Sequence, residues 1–253
     1  MSAEESGRGW ALVTGGARRI GAALAIAASR AGFDIVLHVR ADPATAAKTM
    51  ARIEALGRRT RIVRGELADP TTPARIFVEL AGEAVTLLVN NASIFEDDRI
   101  ETLEAAHWDR QMAVNLRAPL LLASAFAAAL PAGRGGLIVN ILDQRVLRLT
   151  PQFFSYTLSK AALWAATQTL AQALAPRIRV NGIGPGPTLP SLAQGEAGLA
   201  TEAAAVPLGR GPSPDDIAAA LAYLIDAHAV TGELICVDGG QHLSWRTPDV
   251  LEP

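Results

Sequence analysis

The sequence predicts a doubly wound α/β fold: a mostly parallel seven-stranded sheet with helices on both faces, built as one domain. Three observations carry this. Short runs rich in β-branched residues alternate with longer alanine-rich stretches, and most of those runs are apolar at successive positions. No repeat, charge block or linker divides the 253 residues, half of which are hydrophobic. Alternating β and α segments joined by right-handed crossovers give a parallel sheet. Strands covered on both faces lose the polar alternation of a half-exposed sheet. A chain of this size can bury one large core.

Taken in order, strands are expected at Ala11–Thr14, Ile35–Val39, Arg61–Gly65, Thr86–Asn90, Leu137–Leu142, Arg179–Ile183 and Glu233–Val237. Helices are expected near 18–31, 43–57, 71–82, 102–130, 152–175 and 214–227. Asp42 before Pro43 and Ser213 before Pro214 have the form of an N-cap followed by proline in the first turn, and Gly57 has the form of a helix stop. Two stretches break the rhythm. Residues 184–211, rich in Gly, Pro and Ala, are read as a lid over a substrate or an irregular surface connection. The tail 241–253 carries Trp245 and ends among prolines.

Composition narrows the function classes. A formal net charge of -2 with scattered arginines gives no nucleic-acid footprint. Cys236 is the single cysteine, which rules out an intrachain disulfide and a thiolate zinc site and fits a reducing, cytoplasmic compartment. The first ten residues lack the pattern of a secretory signal, and the apolar run Pro119–Leu130 is too short for a membrane span. A small-molecule substrate is expected, with no nucleic-acid or membrane partner and no metal.

The first strand leads into Thr14-Gly15-Gly16-Ala17-Arg18-Arg19-Ile20-Gly21. A glycine turn between a strand and an apolar helix is the setting in which free N–H groups hold a pyrophosphate. Gly15 permits the tight turn and Gly21 the close approach of helix to strand. Arg18, Arg19 and Ile20 complete the turn, with Arg19 where a glycine commonly stands. Strand two ends His38-Val39-Arg40, with no acidic residue to repel a 2′-phosphate, so Arg40 and His38 favour NADPH over NADH.

Tyr156 and Lys160, four apart on the helix expected at 152–175, share one face. An ammonium beside a phenol and a cofactor ribose would lower the tyrosine pKa and make it a proton donor. With the Thr14–Gly21 turn, Asn90-Asn91-Ala92 after strand four, Asn115 in the next helix and Pro185-Gly186 after strand six, the chain resembles the short-chain dehydrogenase/reductase family over nearly its whole length. That resemblance implies a Rossmann-type NADP site in which Asn91 and Ala92 line the ribose side. Asn115 would hold a water relaying protons to Lys160, and the segment after Pro185 would cradle the nicotinamide. Glu66-Leu67 stands where relatives usually carry Asp-Leu beside the adenine. Relatives pair their long fifth and sixth helices, so a homotetramer, or a homodimer, is expected.

Asp143 occupies the position where most of this family place a serine. It is either a carboxylic acid kept neutral beside Tyr156 or a solvent-facing aspartate at a strand end. Asp143, Arg19, His38 and Asn91-Ala92-Ser93-Ile94-Phe95 together resemble the pteridine and dihydromonapterin reductases. The resemblance implies that Ser93 contacts cofactor and substrate, that Phe95 stacks on a pterin ring and that Arg19 reaches both phosphate and substrate. Phe95 on its own reads equally as a core aromatic. The expectation is NADPH-dependent reduction of a dihydropterin. The alternatives are a ketone or 3-oxoacyl reductase and a non-catalytic NADP-binding sensor.

Overall fold

The computed structural model describes residues 7–190 and 195–245. Seven strands, β1 (Trp10–Thr14), β2 (Asp34–Val39), β3 (Thr60–Arg64), β4 (Val85–Asn90), β5 (Gly136–Ile141), β6 (Ile178–Pro185) and β7 (Leu234–Val237), form one sheet in the order β3-β2-β1-β4-β5-β6-β7. Every pairing is parallel. Among the described residues, eight helices cover its faces: α1 (Arg19–Arg30), α2 (Ala47–Glu54), α3 (Thr72–Glu79), α4 (Ala105–Met112), α5 (Ala118–Ala129), α6 (Phe154–Leu174), α7 (Gly195–Ala205) and α8 (Pro214–Asp226).

The strands are apolar at successive positions because each face has its own core. Ala11 and Val13 point into a cluster with Leu24, Leu37, Ile217 and Leu221, whereas Leu12, Val36 and Leu88 point into a second one with Ile76, Leu122 and Phe126. Alternate side chains of one strand thus serve different layers.

Several expected elements are refined. The stretch 43–57 is a short 3-10 turn, Pro43–Ala46, capped by Asp42, followed by α2. Gly57 lies beyond the helix end at φ +74°, as a stop residue does. Ser213 and Asp216 form a reciprocal capping box at the start of α8. The stretch 102–130 divides into α4, a π-helical turn at Ala113–Arg117 and α5. The continuous helical run, Ala105–Ala129, is long and apolar enough to cross a membrane, but Ala118, Leu122, Ala123 and Phe126 on it are core residues. The expectation of an irregular 184–211 needs correction. β6 extends to Pro185, and the helix-forming alanines of 195–205 make α7. Residues 191–194 of the expected lid and 246–253 of the tail lie outside the described residues.

Candidate active site

In a doubly wound sheet the crevice forms at the carboxyl ends of the strands, where strand order reverses. Here the reversal falls between β1 and β4, and a cleft of about 940 Å³ opens there. It runs from Arg40 and Asp42 past the glycine turn and the Asn91–Phe95 segment to Asp143, Tyr156, Lys160 and Pro185–Leu189.

The turn is built for close approach. Gly15 has φ +61°, and a Cβ there would sit 3.2 Å from Ala92 Cα. The N-cap residue of α1, Arg18, makes no side-chain cap, so the helix's first N–H groups are free at the cleft as an anion site. Thr14 ties the two central strands together: its hydroxyl accepts from Asn91 N (2.9 Å) and Ala92 N (3.0 Å) and donates to Val89 O (3.3 Å). Asn91 Nδ2 donates back to Thr14 O at 2.8 Å. Arg19 is in the left-handed region at φ 56°, and its guanidinium donates to Pro190 O at 3.0 Å, linking the turn to the segment after β6.

His38 serves the turn rather than a phosphate. It is buried, Gly15 N donates to its Nδ1 (3.4 Å), and its Nε2 faces Gly65 O at 3.0 Å. Both ring nitrogens are committed, and burial lowers its pKa, which keeps the ring neutral. The exposed Arg40 is therefore the cation at this end of the cleft. Leu67 is buried along the wall, while Glu66 uses a carboxylate oxygen to accept from Ala68 N at 3.1 Å.

Asn115 stands in the π-helical turn, a local irregularity common at functional sites. Its Oδ1 accepts from Ile94 N (2.9 Å) and Ser93 Oγ (3.1 Å). Its Nδ2 lies within donating distance of Ile94 O, Gln111 Oε1 and Ser159 Oγ. The side chain positions the Ser93–Phe95 strap. Phe95 lines the cleft, and Phe153 stacks behind it at 4.2 Å with rings 9° from parallel. The Tyr156 ring meets Phe95 edge-on at 4.7 Å. The strap is anchored to α6 by two carboxylates. Asp97 accepts from Phe153 N (3.3 Å), and Asp98 accepts from Ser155 N (3.0 Å) and from the Ser155 hydroxyl.

At the centre, Tyr156 Oη donates to Asp143 Oδ2 at 3.0 Å, while Asp143 Oδ1 accepts from Arg145 N at 2.9 Å. Asp143 is thus turned toward the tyrosine while keeping partial exposure to the cleft. Burial raises its pKa, although Arg145 and Lys160 oppose the shift. The expected lowering of the Tyr156 pKa is reversed. Burial raises it well above the ordinary value, and the neighbouring Asp143 adds to this. Lys160 is too far off to prevail, with Nζ 5.7 Å from the ring centroid and donating to Ile141 O at 2.7 Å. Burial in turn lowers the Lys160 pKa to about 8.

Residues that spacing did not single out also line the cleft, among them Gln144, Arg145, Leu189, Glu202 and Gln241. The guanidinium of Arg145 flanks the aromatic stack, 5.3 Å from the Phe95 centroid and 5.0 Å from that of Phe153. Cys236, Asp238 and His242 converge closely enough to hold a metal ion. Asp238 Oδ2, however, is committed to His242 Nδ1 (2.7 Å) and His242 N (2.8 Å), and burial pushes the Cys236 thiol up to about 11.

This sheet, glycine turn and buried Tyr/Lys/Asp group define an oxidoreductase built around a dinucleotide cleft. A family model described as enoyl-(acyl carrier protein) reductase matches residues 15–242, and the chain belongs to the short-chain dehydrogenase/reductase family. It is 37% identical over 241 residues to a protein of Methylorubrum extorquens described as an uncharacterized oxidoreductase, covering 91% of this chain and 96% of that one. Among solved structures it is similar to FolM alternative dihydrofolate reductase 1 from Brucella canis complexed with NADP. The identity is 43%, the TM-score 0.89, and the coverage 96% of this chain and 98% of that one. It is also similar to the angucycline C-6 ketoreductase LanV with bound NADP, at 30% identity and a TM-score of 0.87 over 94% and 97% of the two chains.

Proposed function

We propose that the protein reduces a dihydropterin to its tetrahydro form with NADPH. The observation that carries this reading is the Tyr156–Asp143 hydrogen bond beside the cleft-facing ring of Phe95. A serine at position 143 would polarise a ketone. A carboxylic acid joined to a phenol instead suits delivery of a proton to a ring nitrogen. The likeness to a FolM alternative dihydrofolate reductase and the absence of an acidic residue at the end of β2 support it.

The uncapped start of α1, the glycines of the turn and Arg40 would hold the dinucleotide, with Pro185 and Gly186 at its nicotinamide end. When bound, NADPH supplies the hydride added to carbon in the C=N reduction. The chain supplies the proton. A hydroxyl 3.0 Å from a carboxyl oxygen can pass a proton along that contact, and burial shifts both groups toward their protonated forms. Tyr156 gives its proton to the ring nitrogen and Asp143 refills it. Asp143 retains partial exposure to the cleft, through which solvent can reload it. Phe95, backed by Phe153, offers a flat face to a heteroaromatic ring.

NADPH oxidation measured in parallel with dihydropterins, dihydrofolate and simple ketones tests the reading. Dihydropterin turnover far above ketone turnover is expected. A ketone preferred by a large factor would make the protein a carbonyl reductase, as the LanV likeness allows. NADPH binding without turnover on any of these compounds would make it a sensor. We also propose a cytoplasmic homotetramer. The single cysteine and the partly exposed leucines Leu116 of the π-helical turn and Leu120 and Leu121 of α5 support this assembly and compartment.

A further inference from the structure

We infer that Gln144 is the specificity-determining residue for the substrate ring, its carboxamide pairing with an N–H set beside a C=O on the pyrimidinone half of the heterocycle. This rests on the pterin reading and names its recognition contact. Gln144 follows Asp143 directly, in the 3-10 turn Gln144–Val146 after β5. The residue lines the cleft although it is only 6% exposed, and its Oε1 is buried just behind the wall and accepts no hydrogen bond, so a turn of the carboxamide would bring it to a ligand. The other buried side-chain oxygen without a partner among the described residues, Asn90 Oδ1, belongs to an amide that donates to Asn140 between β4 and β5. Asn90 does not line the cleft. Buried polar atoms in folded chains are almost always paired, so an unpaired one on a cleft wall points to a ligand donor.

The neighbours define what that donor belongs to. On one side of Gln144, Asp143 and Tyr156 mark where the proton is delivered. On the other, Arg145 flanks the Phe95 ring. A ring lying on Phe95 with its reducible C=N at Tyr156 has a second, nitrogen-bearing edge to be read. A carboxamide matches a cis-amide edge with one hydrogen bond accepted and one donated. A simple ketone offers no N–H and leaves Oε1 unpaired, which a site built for hydrogen bonding penalises strongly.

The test compares wild type with Gln144→Met and Gln144→Glu for dihydropterin kinetics, ketone turnover, NADPH affinity by fluorescence and thermal unfolding. In both variants KM for the dihydropterin is expected to rise by about 10-fold or more, the loss of a buried pairing. The value of kcat should stay within about threefold and NADPH affinity should hold. If the methionine variant fails to fold, the near-isosteric glutamate decides, since it loses the N–H donor and repels the ring carbonyl. An unchanged KM, with wild type turning over the dihydropterin, overturns the assignment. So does a uniform loss across NADPH affinity and both substrates, which is the mark of a structural role. A wild type inactive on every dihydropterin overturns the pterin reading itself.

Discussion

Asp143 makes Tyr156 harder to ionise, whereas the hydrogen bond from Tyr156 favours the Asp143 carboxylate against its burial, and Lys160 stands 5.7 Å back from the phenol ring. Two predictions belong to these side chains. Asp143→Asn keeps an acceptor for the Tyr156 hydroxyl but cannot supply a proton. Its kcat for a dihydropterin should fall by about 100-fold, and the decline of wild-type activity as pH rises through the elevated Asp143 pKa should vanish. Pterin turnover retained in both Asp143→Asn and Asp143→Ser would end the relay proposal. The second concerns Lys160, whose folded value of about 8 lies below its ordinary 10.5. Between those values the folded chain binds fewer protons than the unfolded one, so stability of the ligand-free protein grows as pH rises through that window. Relative to Lys160→Met, wild type should gain about 1–2 kcal/mol from pH 8 to pH 9.5 in denaturant unfolding. A constant difference would show that Lys160 stays charged in the fold. Spacing reveals that Tyr156 and Lys160 share a helix face, but the direction of a pKa depends on burial and on Asp143, thirteen positions away. Spacing thus places both residues on the cleft wall, while in the ligand-free chain burial and Asp143 push the Tyr156 pKa up rather than down. His38 shows the same limit: its place near a strand end is readable, whereas the two backbone groups that occupy its nitrogens, from Gly15 and Gly65, lie just past β1 and β3 and meet it only through the tertiary fold.

Among the elements, the strap after β4 matters most. It carries Ser93 and Phe95 and is held at one end by Asn115 and at the other by Asp98, which caps the start of α6. The helix that carries Tyr156 and Lys160 thus takes its N-terminal partner from a residue 57 positions earlier. Asp98→Ala should lower stability by about 1–2 kcal/mol, the worth of a lost helix cap, and raise KM for the substrate more than it lowers NADPH affinity. Calorimetry and steady-state kinetics would check both, and an unchanged KM would separate the cap from the site. No local pattern announced this contact, because the residues before α6 contain no capping signal of their own. The strands were readable nearly to the residue, since burial on both faces leaves a plain run of apolar side chains. α7 was missed for the opposite reason: glycines and prolines around it mask a short alanine-rich helix.

At the scale of the whole molecule, parallel order brings residues far apart in the chain to one edge of the sheet. Residues 15, 40, 93, 143, 156 and 186 all reach the same cleft. A groove formed by Met112, Leu116, Leu120 and Leu121 adjoins the cleft, sharing Ala68 and Arg110 with its wall. If this face joins subunits as proposed, Leu120→Glu should reduce the particle mass seen by light scattering. A wild type already monomeric at micromolar concentration would remove the proposed assembly. The site was legible in so far as it repeats a known pattern of types and spacing. Gln144 and Arg145 were not, because only the folded cleft shows which side chains face inward.

The π-helical turn at Ala113–Arg117 sets stability against usefulness. It holds one residue more than a regular helix needs, so deleting Ala113 would allow a continuous α-helix with a better hydrogen-bond ladder. The same deletion would rotate α4 by roughly 100° relative to α5, one residue's turn, and carry Gln111 away from Asn115. A shortened chain of this kind would be harder to unfold and a poorer enzyme, the trade expected wherever an irregular backbone is kept for what it positions.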